Sequence, residues 1–162
     1  MIIVVTSGAD KTGKSLVAKN LAAVMDGGVY VEAHDNCLAE NQNHNNLIIE
    51  AHLSQSNIFA EADYILVVAE PGETAVDDLA LVIDKVKTTG KPAGLLINKS
   101  KIGQNLLMNY ARKEKVKFLG MIPVGKEVAK IADEGRLLID EGHYWMQYFQ
   151  NLAYNISGGE DE

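Results

Sequence analysis

The chain has one cysteine, Cys37, among its 162 residues. A lone thiol closes no internal disulfide, which excludes a cross-linked secreted scaffold and predicts a reducing, cytoplasmic setting. No run of about 18 apolar residues occurs, so no membrane span is expected. The N-terminal apolar stretch, Ile2 to Val5, is too short for a secretory leader and runs straight into a glycine-containing loop. Positive charge is scarce: 15 Lys and Arg against 22 Asp and Glu leave a net charge of -7. That balance argues against nucleic acid or an anionic membrane surface as the main partner. Repeats and linker-like stretches are missing too, so residues 1–162 are expected to form a single domain with a frayed tail over 157–162.

What is present is concentrated at the start. Ile2-Ile3-Val4-Val5-Thr6 is a continuous β-branched run, the mark of a strand buried on both faces of a parallel sheet. It leads into Gly8-Ala9-Asp10-Lys11-Thr12-Gly13-Lys14-Ser15, a G-x-x-x-x-G-K-S phosphate-binding loop, and then into a helical pattern at Leu16, Val17, Leu21 and Val24. Gly8 and Gly13 let successive backbone N–H groups turn inward around an oxyanion. Lys14 is the expected reach to the β- and γ-phosphates, and the Ser15 hydroxyl the expected ligand of Mg²⁺. The helix adds its N-terminal partial charge. Residues 8–16 are therefore the expected nucleotide cradle, with Lys14 also catalytic and Ser15 also a metal ligand.

The rest of the chain alternates. Short apolar strands are expected at Val29-Tyr30-Val31, Leu47-Ile48-Ile49, Tyr64 to Ala69, Ala93 to Ile97 and Phe118 to Pro123. Between them lie helical patterns, one of which begins after Thr74 as a candidate N-cap. Leu38 to Asn46 is polar and aperiodic and reads as an exposed loop. The order predicts an α/β fold of three layers, a mostly parallel sheet with helices on both faces. Polar groups after the strands are then the ones that meet a ligand. These are Glu32 to Cys37 after the second strand, Glu50 to Ser54 after the third, and Asn98 to Lys101 after the fifth.

Four places resemble the MinD/ParA/Mrp group of P-loop ATPases, which includes nitrogenase iron protein. The first is the loop with its four-residue spacer. The second is Ala62-Asp63-Tyr64-Ile65-Leu66-Val67-Val68-Ala69-Glu70-Pro71-Gly72, with Asp78-Leu79 behind it. The third is Leu96-Ile97-Asn98-Lys99. The fourth is Leu119-Gly120-Met121-Ile122-Pro123, followed by Val128-Ala129 and Ala132-Asp133-Glu134-Gly135. Within the group the chain looks closest to accessory ATPases of metallocentre assembly, such as the nickel-insertion type. The resemblance implies ATP or ADP with Mg²⁺, Asn98 facing the adenine, and Pro123 and Val124 packing on it. It also implies a partner protein or metalloprotein and a nucleotide-dependent homodimer. Lys99-Ser100-Lys101 lacks the Asp of guanine-selecting N-K-x-D loops, which favours adenine.

The departures from the group are informative. Ala9 stands where many members carry a second lysine. Glu32-Ala33-His34-Asp35 replaces the D-x-D of the first switch. Glu50-Ala51-His52-Leu53-Ser54 replaces the Asp- and Gly-containing second switch. Glu32, Asp35 and Glu50 are thus the candidate catalytic carboxylates, with Glu50 near Mg²⁺. Glu for Asp displaces a carboxylate by about 1.5 Å, and a misplacement of that order costs about 100-fold in rate. Binding with weak or altered hydrolysis follows, as expected of a nucleotide-dependent switch in metal-cluster assembly or protein positioning. Two alternatives stay open: an ATP-dependent enzyme of the dethiobiotin synthetase or cobyrinic-acid amidation type, and a non-hydrolysing scaffold. His34, Cys37, His44 and His52 have ligand chemistry but lie scattered over polar segments, where surface histidines are the plainer reading. The aromatic group from His143 to Tyr154 reads as a helix packed on the sheet.

Overall fold

In the computed structural model, which describes residues 1–102 and 104–159, strands and helices alternate along the chain. The elements are β1 (Ile2–Thr6), α1 (Lys14–Val24), β2 (Gly28–Glu32), α2 (Cys37–Glu40), β3 (Asn46–Glu50), a kinked 3₁₀ segment (Leu53–Glu61), β4 (Tyr64–Ala69) and α3 (Ala75–Thr89). They continue with β5 (Ala93–Ser100), α4 (Gln104–Lys113), β6 (Lys117–Pro123), α5 (Lys126–Asp133), a 3₁₀ turn (Leu138–Glu141) and α6 (His143–Ile156). The strands form one six-stranded sheet in the order β2-β3-β1-β4-β5-β6. Every pairing is parallel, so the mostly parallel expectation sharpens to an all-parallel sheet among the described residues.

Side chains alternate across each strand, and the sheet sorts them into two cores. Val4, Ile49, Val67 and Ile97 join α3, α4 and the 3₁₀ segment on one face. Val5, Ile48, Leu66 and Leu96 join α1, α6 and the Leu138–Glu141 turn on the other. The connection leaving β1 carries the chain toward β2, and the one leaving β4 carries it the opposite way toward β5. A crevice therefore opens at the carboxyl ends of the central strands, where a parallel sheet gathers its ligand groups.

One local expectation is corrected and another is refined. Leu38 to Asn46 is not wholly loop: Cys37–Glu40 makes one helical turn after Asn36 at φ 69°. The reason is burial, because Cys37 is 2% exposed and Leu38 packs on the same core. A cysteine so placed is core rather than a surface ligand. Thr74 does occupy the N-cap of α3, but its hydroxyl donates to the Asp78 carboxylate at 2.8 Å instead of accepting from the backbone. Of the expected tail, residues 160–162 lie outside the described residues. Ser157–Gly159 close α6, with the Gly159 N–H bonded to the Tyr154 carbonyl at 3.0 Å.

Tyr64 of β4 is 8% exposed among the α1- and α6-side core. Burial pushes its phenol up to about 12, above the value of about 10 in an unfolded chain. The folded-state value is the raised one. Tyr64 therefore contributes its stability in full below pH 10 and loses it as pH climbs toward 12, by about 2–3 kcal/mol. Urea unfolding across that interval is expected to show a steeper loss for the unaltered chain than for Tyr64→Phe.

Candidate functional site

The loop after β1 is built around a buried cation. Lys14 opens α1 and is 5% exposed, and its Nζ donates to the Ser7 hydroxyl at 3.1 Å. Ser7 in turn donates to the Ala9 carbonyl at 2.5 Å. No carboxylate pairs with Lys14 among the described residues. A buried ammonium held by one hydroxyl is costly unless an anion joins it. Gly13, at φ +91°, caps α1 with no side-chain bond. The first N–H groups of the helix are thereby left pointing outward, as an anion requires.

The other side of the loop is clasped by the end of β5. Asn98, 3% exposed, donates from Nδ2 to the Thr12 carbonyl at 2.9 Å. A Cβ on Gly13 would lie 2.1 Å from that same nitrogen, so only glycine fits there. Lys99 donates to the Lys11 carbonyl at 3.1 Å and pairs with Glu70 at 3.2 Å. Both Lys11 and Lys99 hold positive φ, 59° and 51°, a cost that the two clasps offset. Gly8 sits against α3, where a Cβ would come 1.9 Å from the Asp78 carbonyl oxygen.

The register brings the second half of the site. Val5 pairs with Glu50, and Glu50 with Glu32, along one line across the sheet. Registered residues share a face, here the face covered by α1. Ser15, in the first turn of α1, donates to both carboxylate oxygens of Glu50 at 2.8 Å. A hydroxyl and a carboxylate this close form an all-oxygen set that suits a hard divalent cation. The Thr12 hydroxyl is buried in the loop without a partner.

One cleft of about 690 Å³ gathers most of the expected residues, a volume in the range of small-molecule sites. Residues 10–16, Glu50, Asn98, Pro123 and Val124 line it. Gly8 and Ala9 instead line two smaller hollows beside the loop, of about 250 and 260 Å³. Val124 stays 59% exposed and, with Pro123 and Val128, makes an apolar wall at the β6 side of the cleft. Glu32 and Asp35 are exposed and do not line the cleft. His34 is turned away as well, bonded to the Glu32 carbonyl oxygen and to Glu40. The bond to the Glu32 carbonyl and then Glu40 hold its imidazole above the usual histidine value. No group of three His, Cys, Asp or Glu is assembled for a metal among the described residues.

Sequence reasoning missed Tyr30 and Lys99 as a clasp, whereas His52, within the strand-end segment expected to meet a ligand, does line the cleft mouth 3.7 Å from Asp10. The signal for Tyr30 was legible, because it lies two residues before Glu32 and so on the same face of β2. The Lys99 clasp carried none, since it joins positions 88 residues apart.

The sequence model described as CobQ/CobB/MinD/ParA nucleotide binding domain matches residues 3–139. No curated protein matches the sequence significantly. Among solved structures, the MinD cell division protein of Aquifex aeolicus superposes with a TM-score of 0.76 at 14% identity, covering 99% of this chain and 98% of that one. An ATP complex of a McdA variant from Cyanothece gives 0.73 at 13% identity, covering 99% and 97%. A plasmid partition protein from Borrelia burgdorferi bound to AMPPNP gives 0.71 at 16%, covering 93% and 96%. At these identities the likeness is one of fold.

Removing the Asn98 clasp leaves the Thr12 carbonyl buried and unbonded. Asn98→Ala is expected to destabilise the chain by about 1–3 kcal/mol. Gly13→Ala is expected to cost at least about 1 kcal/mol from its positive φ alone. Urea midpoints at unchanged m-value check both.

Proposed function

Because the chain belongs to the CobQ/CobB/MinD/ParA nucleotide-binding domain family, whose sequence model spans residues 3–139, we propose that it is an ATP-binding switch acting as one nucleotide-binding domain. The observation that carries this reading is the buried Lys14, bonded to Ser7 and facing a cleft lined by Ser15, Glu50 and Asn98. The backbone of residues 8–15 and Lys14 hold the phosphates. Ser15 and Glu50 hold Mg²⁺, whose bound charge neutralises the phosphate oxygens. Asn98 keeps an amide N–H and a carbonyl oxygen for the base after its bond to Thr12. Pro123, Val124 and Val128 cover the apolar face of the ring. The absence of an N-K-x-D aspartate favours adenine. The AMPPNP and ATP complexes of two proteins with this fold support an adenine nucleotide as well.

Hydrolysis is slow in this reading. Of the three switch carboxylates named from sequence, Glu50 alone lines the cleft; Glu32 and Asp35 stay outside it. No second carboxylate of the switches is therefore in place to orient a water, and a displacement of about 1 Å costs on the order of 100-fold. The chain instead couples occupancy to the order of the segments after β2 and β3, and a partner protein reads that order. A MinC:MinD complex is known for the Aquifex aeolicus protein. The cargo here is a protein, either one being positioned or a metalloprotein under assembly, and capture with ATP separates the two.

Calorimetry is expected to detect MgATP and MgADP binding, weakened about 100-fold, or some 3 kcal/mol, by Lys14→Ala. Phosphate release on the same sample is expected to be slow. No binding at about 1 mM, weaker than about −4 kcal/mol, would sink the switch reading.

A further inference from the structure

Glu50 is held from two sides. Ser15 donates to both of its oxygens, and the Tyr30 hydroxyl donates to Oε2 at 2.5 Å. Tyr30 reaches Glu50 diagonally, since its own register partner on β3 is Ile48. Its hydroxyl also lies 3.4 Å from Oε1 of Glu32. The ring is fixed in turn, with Lys19 of α1 standing 5.3 Å over its centre.

This arrangement answers a specific problem. Glu32 and Glu50 are registered side by side at the carboxyl end of the sheet, and like charges in that position repel. A glutamate also has one more rotatable bond than an aspartate, so its carboxylate wanders unless something holds it. The Tyr30 hydroxyl lies between the two acids and donates to Glu50. It thereby turns that carboxylate toward Ser15 and away from Glu32, leaving other lone pairs of Glu50 for a cation. The partners of a ligating carboxylate tune a metal site in this way.

We infer that Tyr30 is the positioning residue of the Mg²⁺ site, fixing Glu50 against Ser15. The inference rests on the nucleotide reading above. Tyr30 touches neither nucleotide nor metal; it acts through Glu50.

The test uses the full chain and Mn²⁺ as the probe. Free Mn²⁺ is followed by its paramagnetic resonance signal as ADP-loaded protein is added. Tyr30→Phe keeps the ring and its contact with Lys19 and removes only the hydroxyl. It is expected to weaken Mn²⁺ binding about tenfold or more, while ADP affinity in EDTA stays unchanged. Glu50→Gln is expected to lose at least as much, and the double variant no more than Glu50→Gln alone. Unchanged Mn²⁺ affinity in Tyr30→Phe overturns the inference. So does an equal loss of ADP affinity in EDTA, which would mark a structural role. If the unaltered chain fails to bind ADP in either condition, the nucleotide reading falls and this one with it. Retained ADP binding with insensitive Mn²⁺ removes this one alone.

Discussion

Val5 of β1 lies beside Glu50 of β3, and Glu50 lies beside Glu32 of β2. Because register and alternation are coupled, a slip of β3 by one residue would turn Glu50 to the opposite face, away from Val5 and Glu32. On the observed register they face α1, and Ser15 in its first turn meets Glu50 at 2.8 Å. The apolar partners along the same strands enforce it: Ile3 and Ile48 bury on the α1 side, Val4 and Ile49 on the other. The hydrophobic pattern of two strands thus aims a carboxylate at a hydroxyl that lies 35 residues away in sequence.

The same economy governs the loop. A chain of glycines and short polar residues is flexible by itself, yet an anion site gains affinity only from donors already in place. Asn98 and Lys99 supply that preorganisation by binding the carbonyls of Thr12 and Lys11. Both clasps come from β5, two strands away from β1. The end of the strand expected to meet the base is thus also what stiffens the phosphate loop. The two parts of the cleft are joined by these two hydrogen bonds, and Lys99 also pairs with Glu70.

The altered switches acquire a physical meaning in this frame. Glu50 in place of an aspartate brings a longer side chain to the Ser15 side, and Tyr30 takes up its extra freedom. Glu32 and Asp35 are left exposed outside the cleft. On the proposed reading, a site of this kind holds a nucleotide longer than it turns it over.

The fold was legible because its information is local. Continuous β-branched runs, helical periods and glycine stops each act within a few residues, and their alternation admits few architectures. The phosphate loop was legible for the same reason, since its glycines, lysine and serine are contiguous. The segment after Asn36 was misread because a long-range neighbour, the core beneath Cys37, outweighed local propensity; Thr74 was placed correctly as the N-cap, but its hydroxyl found Asp78 instead of the backbone. Sequence by itself determined the strand and helix order, the loop, and the set of polar groups at strand ends. Tertiary structure alone decided which of those groups share a cleft. Glu50 enters and Glu32 does not, and Tyr30 and Lys99 take part without any motif, because contact across a sheet depends on register, twist and packing between residues far apart in the chain.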